Sequence, residues 1–93
     1  MLGKRINVKP SSRFKRSYVK LPANIQRLAV EKEAIFVSNP FNHQLRTHKL
    51  RGKMRGFWSF SVSYSYRVVF KFINKDTALF YDIGDHQIYQ SRD

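Results

Sequence analysis

The feature that most constrains the fold is a pair of apolar segments between residues 57 and 73. In the first, four side chains alternate with serines or close the run: Trp58, Phe60, Val62 and Tyr64. A period of two residues is typical of a strand that buries one face. The second segment, residues 67–73, is rich in the β-branched and aromatic residues that strands favour. With a Ser-Tyr pair between them, the two segments predict a β-hairpin.

The segments before and after this hairpin predict two helices and two more strands. Residues 4–9 alternate around Ile6 and Val8 and predict a short strand, after which Ser11 or Ser12 can cap a helix. Apolar residues recur at helical spacing over residues 13–21, and a second helix follows Pro22 and ends before Pro40. Residues 77–84 form a nearly continuous apolar run, which predicts a strand inside the sheet.

The predicted fold class is therefore α+β, with the order β-α-α-β-β-β. A helical hairpin would pack on one face of a small, mainly antiparallel sheet, and the other sheet face would stay partly open. Residues 40–47 are expected to form a loop that leads into the basic stretch before the β-hairpin. The length of 93 residues, without internal repeats, predicts a single domain over residues 1–93.

Charge is the compositional fact that bears most on function. Eighteen Lys and Arg residues against six Asp and Glu give a net charge of +12, which favours polyanions such as RNA, DNA, an anionic membrane surface or an acidic protein. The absence of cysteine excludes disulfides and thiolate metal sites. No apolar run has the length of a membrane span and the N-terminus lacks an apolar signal core, so we expect a soluble, cytoplasmic protein without membrane contact.

Several short motifs follow one another along the chain: Asn39-Pro40-Phe41, His48-Lys49-Leu50-Arg51-Gly52, Gly56-Phe57-Trp58-Ser59, Tyr66-Arg67-Val68-Val69-Phe70 and Asp82-Ile83-Gly84-Asp85-His86-Gln87-Ile88-Tyr89. They resemble the motifs of the RelE/ParE superfamily, the toxins of bacterial type II toxin–antitoxin systems, and most closely those of the branch of RelE-, YoeB- and YafQ-like mRNA interferases. Their order and spacing agree with that family over essentially the whole chain.

The resemblance implies a metal-independent endoribonuclease that cuts messenger RNA, usually on the ribosome, without any cofactor. In that reaction the 2′-hydroxyl of the substrate attacks the adjacent phosphodiester, so the site needs a base, cations and an acid. By position, the resemblance assigns the base to His48, the phosphate-holding cation to Arg67 and the acid to His86. It assigns a stacking or orienting role to Tyr89.

A basic lip next to this site consists of Lys49, Arg51, Lys53 and Arg55, and by position the first three match the surface with which the family meets ribosomal RNA. Ser61 stands where several relatives carry an arginine or a histidine, and its hydroxyl can bond to a phosphate without supplying charge. Ser65 stands where the YafQ-like group has an aspartate. The predicted RNA-binding residues are Lys49, Arg51, Lys53, Arg55 and Ser61.

The resemblance also implies an antitoxin partner, and the charge distribution predicts that this partner is acidic. No acidic residue precedes Glu31, whereas eight basic residues do: Lys4, Arg5, Lys9, Arg13, Lys15, Arg16, Lys20 and Arg27. An acidic segment bound across the helical hairpin and the basic sheet face would relieve this repulsion.

Alternatives remain open from the sequence. The chain could be a ParE-like toxin that binds DNA gyrase, or a basic RNA-binding module without catalytic activity. Arg67 could also be structural, paired with Asp82 across the sheet. A metal site built from His43, His48 and His86 is not expected, because their spacing is irregular and no carboxylate cluster accompanies them.

Overall fold

A computed structural model describes residues 5–85 of the chain. Within this range the chain forms two α-helices on a five-stranded mixed sheet, which confirms the predicted α+β class. The elements are β1 (Asn7–Pro10), α1 (Ser12–Val19), α2 (Ala23–Ser38), β2 (His48–Lys49), β3 (Trp58–Ser61), β4 (Tyr66–Asn74) and β5 (Thr77–Asp85), with single 3-10 turns at His43–Leu45 and Gly52–Met54.

The strands lie in the order β1-β5-β4-β3-β2, so the first and last strands of the described chain are neighbours. β1 pairs with β5 in parallel, and the other pairs are antiparallel. β3 and β4 form the predicted hairpin, with Trp58 opposite Phe70 and Ser61 opposite Arg67. The sequence does not predict β2, because two residues carry no periodicity and the strand exists only through its pairing with β3.

The helices begin and end where the local sequence supplies a reason. Ser11 caps α1, since its side chain accepts a hydrogen bond from the backbone N–H of Phe14. Pro22 precedes α2, and Asn39 ends it in an extended conformation just before Pro40. No helix within residues 5–85 combines the length and the apolar character that a bilayer crossing requires.

Packed aromatic rings make up much of the core between the helices and the sheet. The ring of Phe36, on α2, lies about 5 Å from those of Phe60, Phe70 and Phe80 on three successive strands of the sheet. All four side chains are at least 98 % buried. Because edge-to-face and offset aromatic pairs add to the burial term, this cluster fixes α2 over β3, β4 and β5.

A carboxylate on β5 fastens α1 to the sheet. Asp82, on β5, accepts hydrogen bonds from Ser17 Oγ at 2.6 Å and from Arg13 Nε at 3.0 Å. This hydrogen bond raises the pKa of Arg13, and the Arg13 guanidinium also lies 5.3 Å from the centre of the Tyr81 ring. Asp82 is therefore committed to α1, and the alternative that it pairs with Arg67 is wrong.

The second face of the sheet is less open than the sequence suggests. The segment between β2 and β3 folds back over it and buries Leu50 and Met54 against Val69, with Phe57 and Tyr81 at the margin. The segment turns at Gly52 and Gly56, which have φ of +65° and +96°, a region that glycine adopts without strain. This segment covers only part of the face. Arg67, which lies at the start of β4 beside the turn from β3, stays half-buried.

Candidate nucleic-acid interface

Arg67 is held in place by the strand pairing and by a neighbouring serine. It lies opposite Ser61 in the β3–β4 ladder, and its guanidinium donates a hydrogen bond to the Ser61 hydroxyl. Ser61 is 9 % exposed and Arg67 is half-buried, so the Arg67 side chain is held in place while it remains partly accessible to solvent. A planar cation presented in this way suits a phosphate group.

His48 lies exposed on β2, and its tautomer follows from one hydrogen bond. Its Nδ1 is 3.0 Å from the backbone carbonyl oxygen of Arg46. Because a carbonyl can only accept, Nδ1 must carry the proton in this contact, and in neutral histidine Nε2 then has a free lone pair. The ring is thus oriented as a proton acceptor at Nε2.

The pairing places His48 and Arg67 on the same face of the sheet. His48 lies opposite Ser59, which lies opposite Val69, while Arg67 is two residues before Val69 on β4. Residues that are two apart on a strand point to the same face, as do directly opposed residues on neighbouring strands. From the usual strand spacings the two Cα atoms are roughly 12 Å apart, which leaves room for a phosphodiester between the side chains.

Most of the predicted basic lip lies over this same face, with one exception. Arg51, Lys53 and Arg55 are exposed on the segment that Leu50 and Met54 anchor against the sheet. Lys49 instead lies opposite Trp58, and its Nζ is 5.5 Å from the centre of the indole ring on the helix-covered side. The structure therefore separates Lys49 from the other lip residues.

Two predicted catalytic residues, His86 and Tyr89, lie outside the described residues, and their roles stay predictions. The described chain ends on β5, where Gly84 is opposite Arg67 and Asp85 is opposite Tyr66.

Four further residues line, together with Ser61 and Arg67, a cavity of about 320 Å³ beside the end of β3: Lys32, Gln44, Arg46 and Tyr64. The sequence places Tyr64 in the hairpin but predicts no role at the site for Lys32, Gln44 or Arg46. Arg46 and Gln44 lie in the stretch over residues 40–47 that is expected to form a loop, and Lys32 lies on α2. Only tertiary packing brings these three residues to Arg67, so no local pattern could have found them.

A second concave surface lies between the two helices and is apolar. It has a volume of about 290 Å³, and Phe14, Tyr18 and Ala29 form much of its floor. Val30 on its wall is 57 % exposed. Burial raises the pKa of Glu33, whose side chain also lines this groove.

Comparison with known proteins rests on structure. Neither family models nor curated proteins give a match to the sequence. The structure is similar to the Mycobacterium tuberculosis RelBE2 toxin–antitoxin complex, with a TM-score of 0.76 and 19 % identity over 89 % of this chain and 93 % of that one.

Two further solved structures show the same similarity. For the YoeB/ParE toxin from Agrobacterium tumefaciens the TM-score is 0.74, with 15 % identity over 87 % of this chain and 99 % of that one. For the archaeal RelE–RelB complex from Pyrococcus horikoshii it is 0.70, with 20 % identity over 87 % and 94 %. The chain therefore has the fold of the RelE/ParE superfamily toxins, and the resemblance carried by its motifs is confirmed at the level of the fold.

Proposed function

We propose that this chain is the toxin of a type II toxin–antitoxin system and a metal-independent endoribonuclease that cuts messenger RNA on the ribosome. The observation that carries the proposal is the shared sheet face on which His48 presents a free Nε2 and Ser61 holds Arg67. Exposed cations of the lip overhang this face, as a polyanionic substrate requires. One of the solved structures with this fold is a toxin–antitoxin complex, which supports an antitoxin as the partner of this chain.

The first half of the reaction falls to His48 and Arg67. Nε2 of His48 accepts the proton of the substrate 2′-hydroxyl, whose oxygen then bonds to the adjacent phosphorus. Negative charge gathers on the non-bridging oxygens of the phosphorane, and the guanidinium of Arg67 offers paired N–H donors to it. Because the Ser61 hydroxyl already orients Arg67, little reorganisation is needed at that moment.

The second half of the reaction breaks the bond between phosphorus and the 5′-oxygen. The leaving oxygen takes a proton from the acid that we assign to His86, and the products are a 2′,3′-cyclic phosphate and a 5′-hydroxyl. Tyr89 is assigned to orient the phosphate or stack on a base. Arg51, Lys53 and Arg55 then bind the phosphates of the message and of ribosomal RNA through exposed charge.

The antitoxin is assigned to the helical side of the molecule. The groove between α1 and α2 has an apolar floor and exposed valines at its rim, Val19 and Val30. Lys15 lies on its wall, exposed Arg16 and Arg27 lie on the same two helices, and exposed Lys20 directly follows α1. An amphipathic segment with an acidic flank fits this combination of apolar floor and basic surroundings.

The test is single-turnover cleavage of a message programmed on ribosomes. His48→Gln keeps a side chain of similar length but cannot act as the base, and Arg67→Ala removes the cation. Each change should slow cleavage by roughly 100-fold or more. Lys75→Ala, which removes an exposed charge in the turn after β4, is the matched control and should cut at the wild-type rate.

Two results would contradict this mechanism. A message with a single 2′-deoxy replacement at the cut site lacks the nucleophile, so continued cutting there would identify water as the attacking group. A folded wild-type protein that leaves every message intact but blocks DNA supercoiling by gyrase would instead be a ParE-like toxin.

A further inference from the structure

The cavity beside the end of β3 joins the sheet face to the side of α2. Lys32 from α2, Arg46 from the turn before β2 and Arg67 from β4 all line it. Gln44 and Ser61 add polar groups to its wall, and Tyr64 stands at the tip of the β3–β4 hairpin. Its volume of about 320 Å³ lies at the lower end of the usual range for small-ligand sites, roughly 300–1,000 Å³.

The charge around this cavity is of one sign. Among the described residues that line it, three are cationic and none is acidic. The acidic neighbours of Lys32 on α2 face elsewhere, since Glu33 lines the apolar groove and Glu31 lines a hollow with Gln26. Three like charges in one concave site repel one another until an anion binds between them, so the arrangement favours an anionic ligand.

The backbone at Arg46 gives an independent sign of function. Within residues 5–85 Arg46 is the one non-glycine residue with positive φ, at 53°. It ends the 3-10 turn at His43–Leu45, and the fully buried Leu45 fixes the chain just before it. Glycine or asparagine adopts this conformation more easily than arginine, so the local backbone does not explain the arginine. Strain of this kind collects at binding sites.

The tyrosine at the mouth of the cavity adds a surface for stacking. Tyr64 is 97 % exposed, whereas the neighbouring Tyr66 packs on the core. An exposed aromatic ring beside a basic hollow is the combination by which proteins hold single-stranded nucleic acid, with the base on the ring and the phosphate on the cations.

We propose that this cavity binds the nucleotide next to the cleavage site, with its phosphate between Lys32, Arg46 and Arg67 and its base on the ring of Tyr64. The proposal rests on the proposed ribonuclease function and names the residues that hold the neighbouring nucleotide. Arg46 and Lys32 would supply the positive charge that Ser61 lacks.

The experiment measures binding of a fluorescently labelled, fully 2′-O-methylated RNA octamer of mixed sequence, which cannot be cut. Fluorescence anisotropy over a range of salt concentrations gives the slope of log K against log salt. Arg46→Asn tolerates the left-handed backbone and leaves the carbonyl that holds His48 in place, while Lys32→Gln keeps most of the stem. Each should make the slope shallower by about 0.7, the value for one phosphate contact on a single strand.

Two further variants separate stacking from charge. Tyr64→Ala should weaken binding by about tenfold without changing the slope, and Tyr64→Phe should bind as tightly as wild type. Lys75→Gln, in the turn after β4 and roughly 25 Å from Arg67, is the charge control and should keep the wild-type slope. Thermal melts of all variants show whether the fold survives, and Arg46→Asn should melt no lower than wild type because the strain is removed.

The outcomes distinguish this site from the proposed reaction. If Arg46→Asn and Lys32→Gln both keep the wild-type slope, the cavity does not hold a phosphate, even if messages are still cut. If both slopes become shallower but no message is cut, the nucleotide site stands and the ribonuclease function falls. If the wild-type protein binds the octamer without salt dependence, the nucleotide site is refuted.

Discussion

Asp82 offers the sharpest test of what holds this fold together. Asp82 is 5 % exposed, and its carboxylate accepts three hydrogen bonds, from Ser17 Oγ at 2.6 Å, from Arg13 Nε at 3.0 Å and from the backbone N–H of Ile83 at 2.9 Å. Two of these bonds reach across to α1 and the third stays within β5. Asp82→Ala removes all three and leaves their donors without the acceptor.

The cost can be worked out from these contacts. A hydrogen bond to a charged group contributes roughly 1.5–3 kcal/mol. The Arg13 side chain is 44 % exposed, so solvent screening reduces the contribution of its ion pair with Asp82 to about 0.5 kcal/mol. Ser17 regains water in part, since it is only half-buried. We therefore expect Asp82→Ala to lower the free energy of unfolding by about 3 kcal/mol, or roughly 12–24 °C in Tm for a chain of this size.

Urea unfolding followed by tryptophan fluorescence and a thermal melt would measure this loss. Asp82→Asn keeps an acceptor for Ser17 and Ile83 but turns an amide group toward Arg13, so it should cost about 1 kcal/mol. Arg13→Ala is the surface control and should cost about 0.5 kcal/mol. If Asp82→Ala is no more destabilising than Arg13→Ala, the carboxylate does not anchor α1 and the reasoning fails.

Two further predictions concern the groove between the helices. Burial raises the pKa of Glu33, so the folded chain binds the proton of the Glu33 carboxyl group more tightly than the unfolded chain does. The stability that this proton contributes is present below pH 4.5, the pKa in the unfolded chain, and is lost as pH rises through the raised pKa of the folded chain. Glu33→Gln should therefore raise the free energy of unfolding at about pH 7 and not below about pH 4. Urea unfolding in which the substitution stabilises the fold below about pH 4 but not at about pH 7 would contradict this. Val30→Asp should abolish co-purification with the antitoxin, whereas Ile73→Asp, at an exposed apolar residue outside the groove, should not. If both variants co-purify with the same amount of antitoxin, the antitoxin binds elsewhere.

The parts of the fold that sequence predicted are those with a strong local signal. β4 and β5 were expected at residues 67–73 and 77–84 and lie at Tyr66–Asn74 and Thr77–Asp85, because their apolar runs are long. β1 was expected at residues 4–9 but pairs over Asn7–Pro10. Its bounds depend on β5, which no local pattern of β1 can reveal.

The candidate site likewise combines features that follow from local sequence patterns with features that only tertiary packing creates. The common face of His48 and Arg67 follows from strand alternation once the pairing of β2, β3 and β4 is known. Lys49, expected beside the other lip residues, lies on the opposite face because β2 makes alternate residues point apart. Arg46 and Lys32 reach Arg67 through the packing of a turn and a helix, and sequence spacing carries no trace of such contacts.

The parallel pair of β1 and β5 has a consequence for how the protein is made. Ser11, at the end of β1, bonds to the carbonyl oxygen of Tyr81, a contact that closes a loop of 70 residues. A ribosome therefore releases β1 and both helices long before their partner strand emerges. The core can close only after synthesis has passed β5, and contacts so distant in sequence form slowly. Each newly made copy thus spends an interval with its apolar faces exposed and its candidate site unassembled, and that delay is built into the strand order.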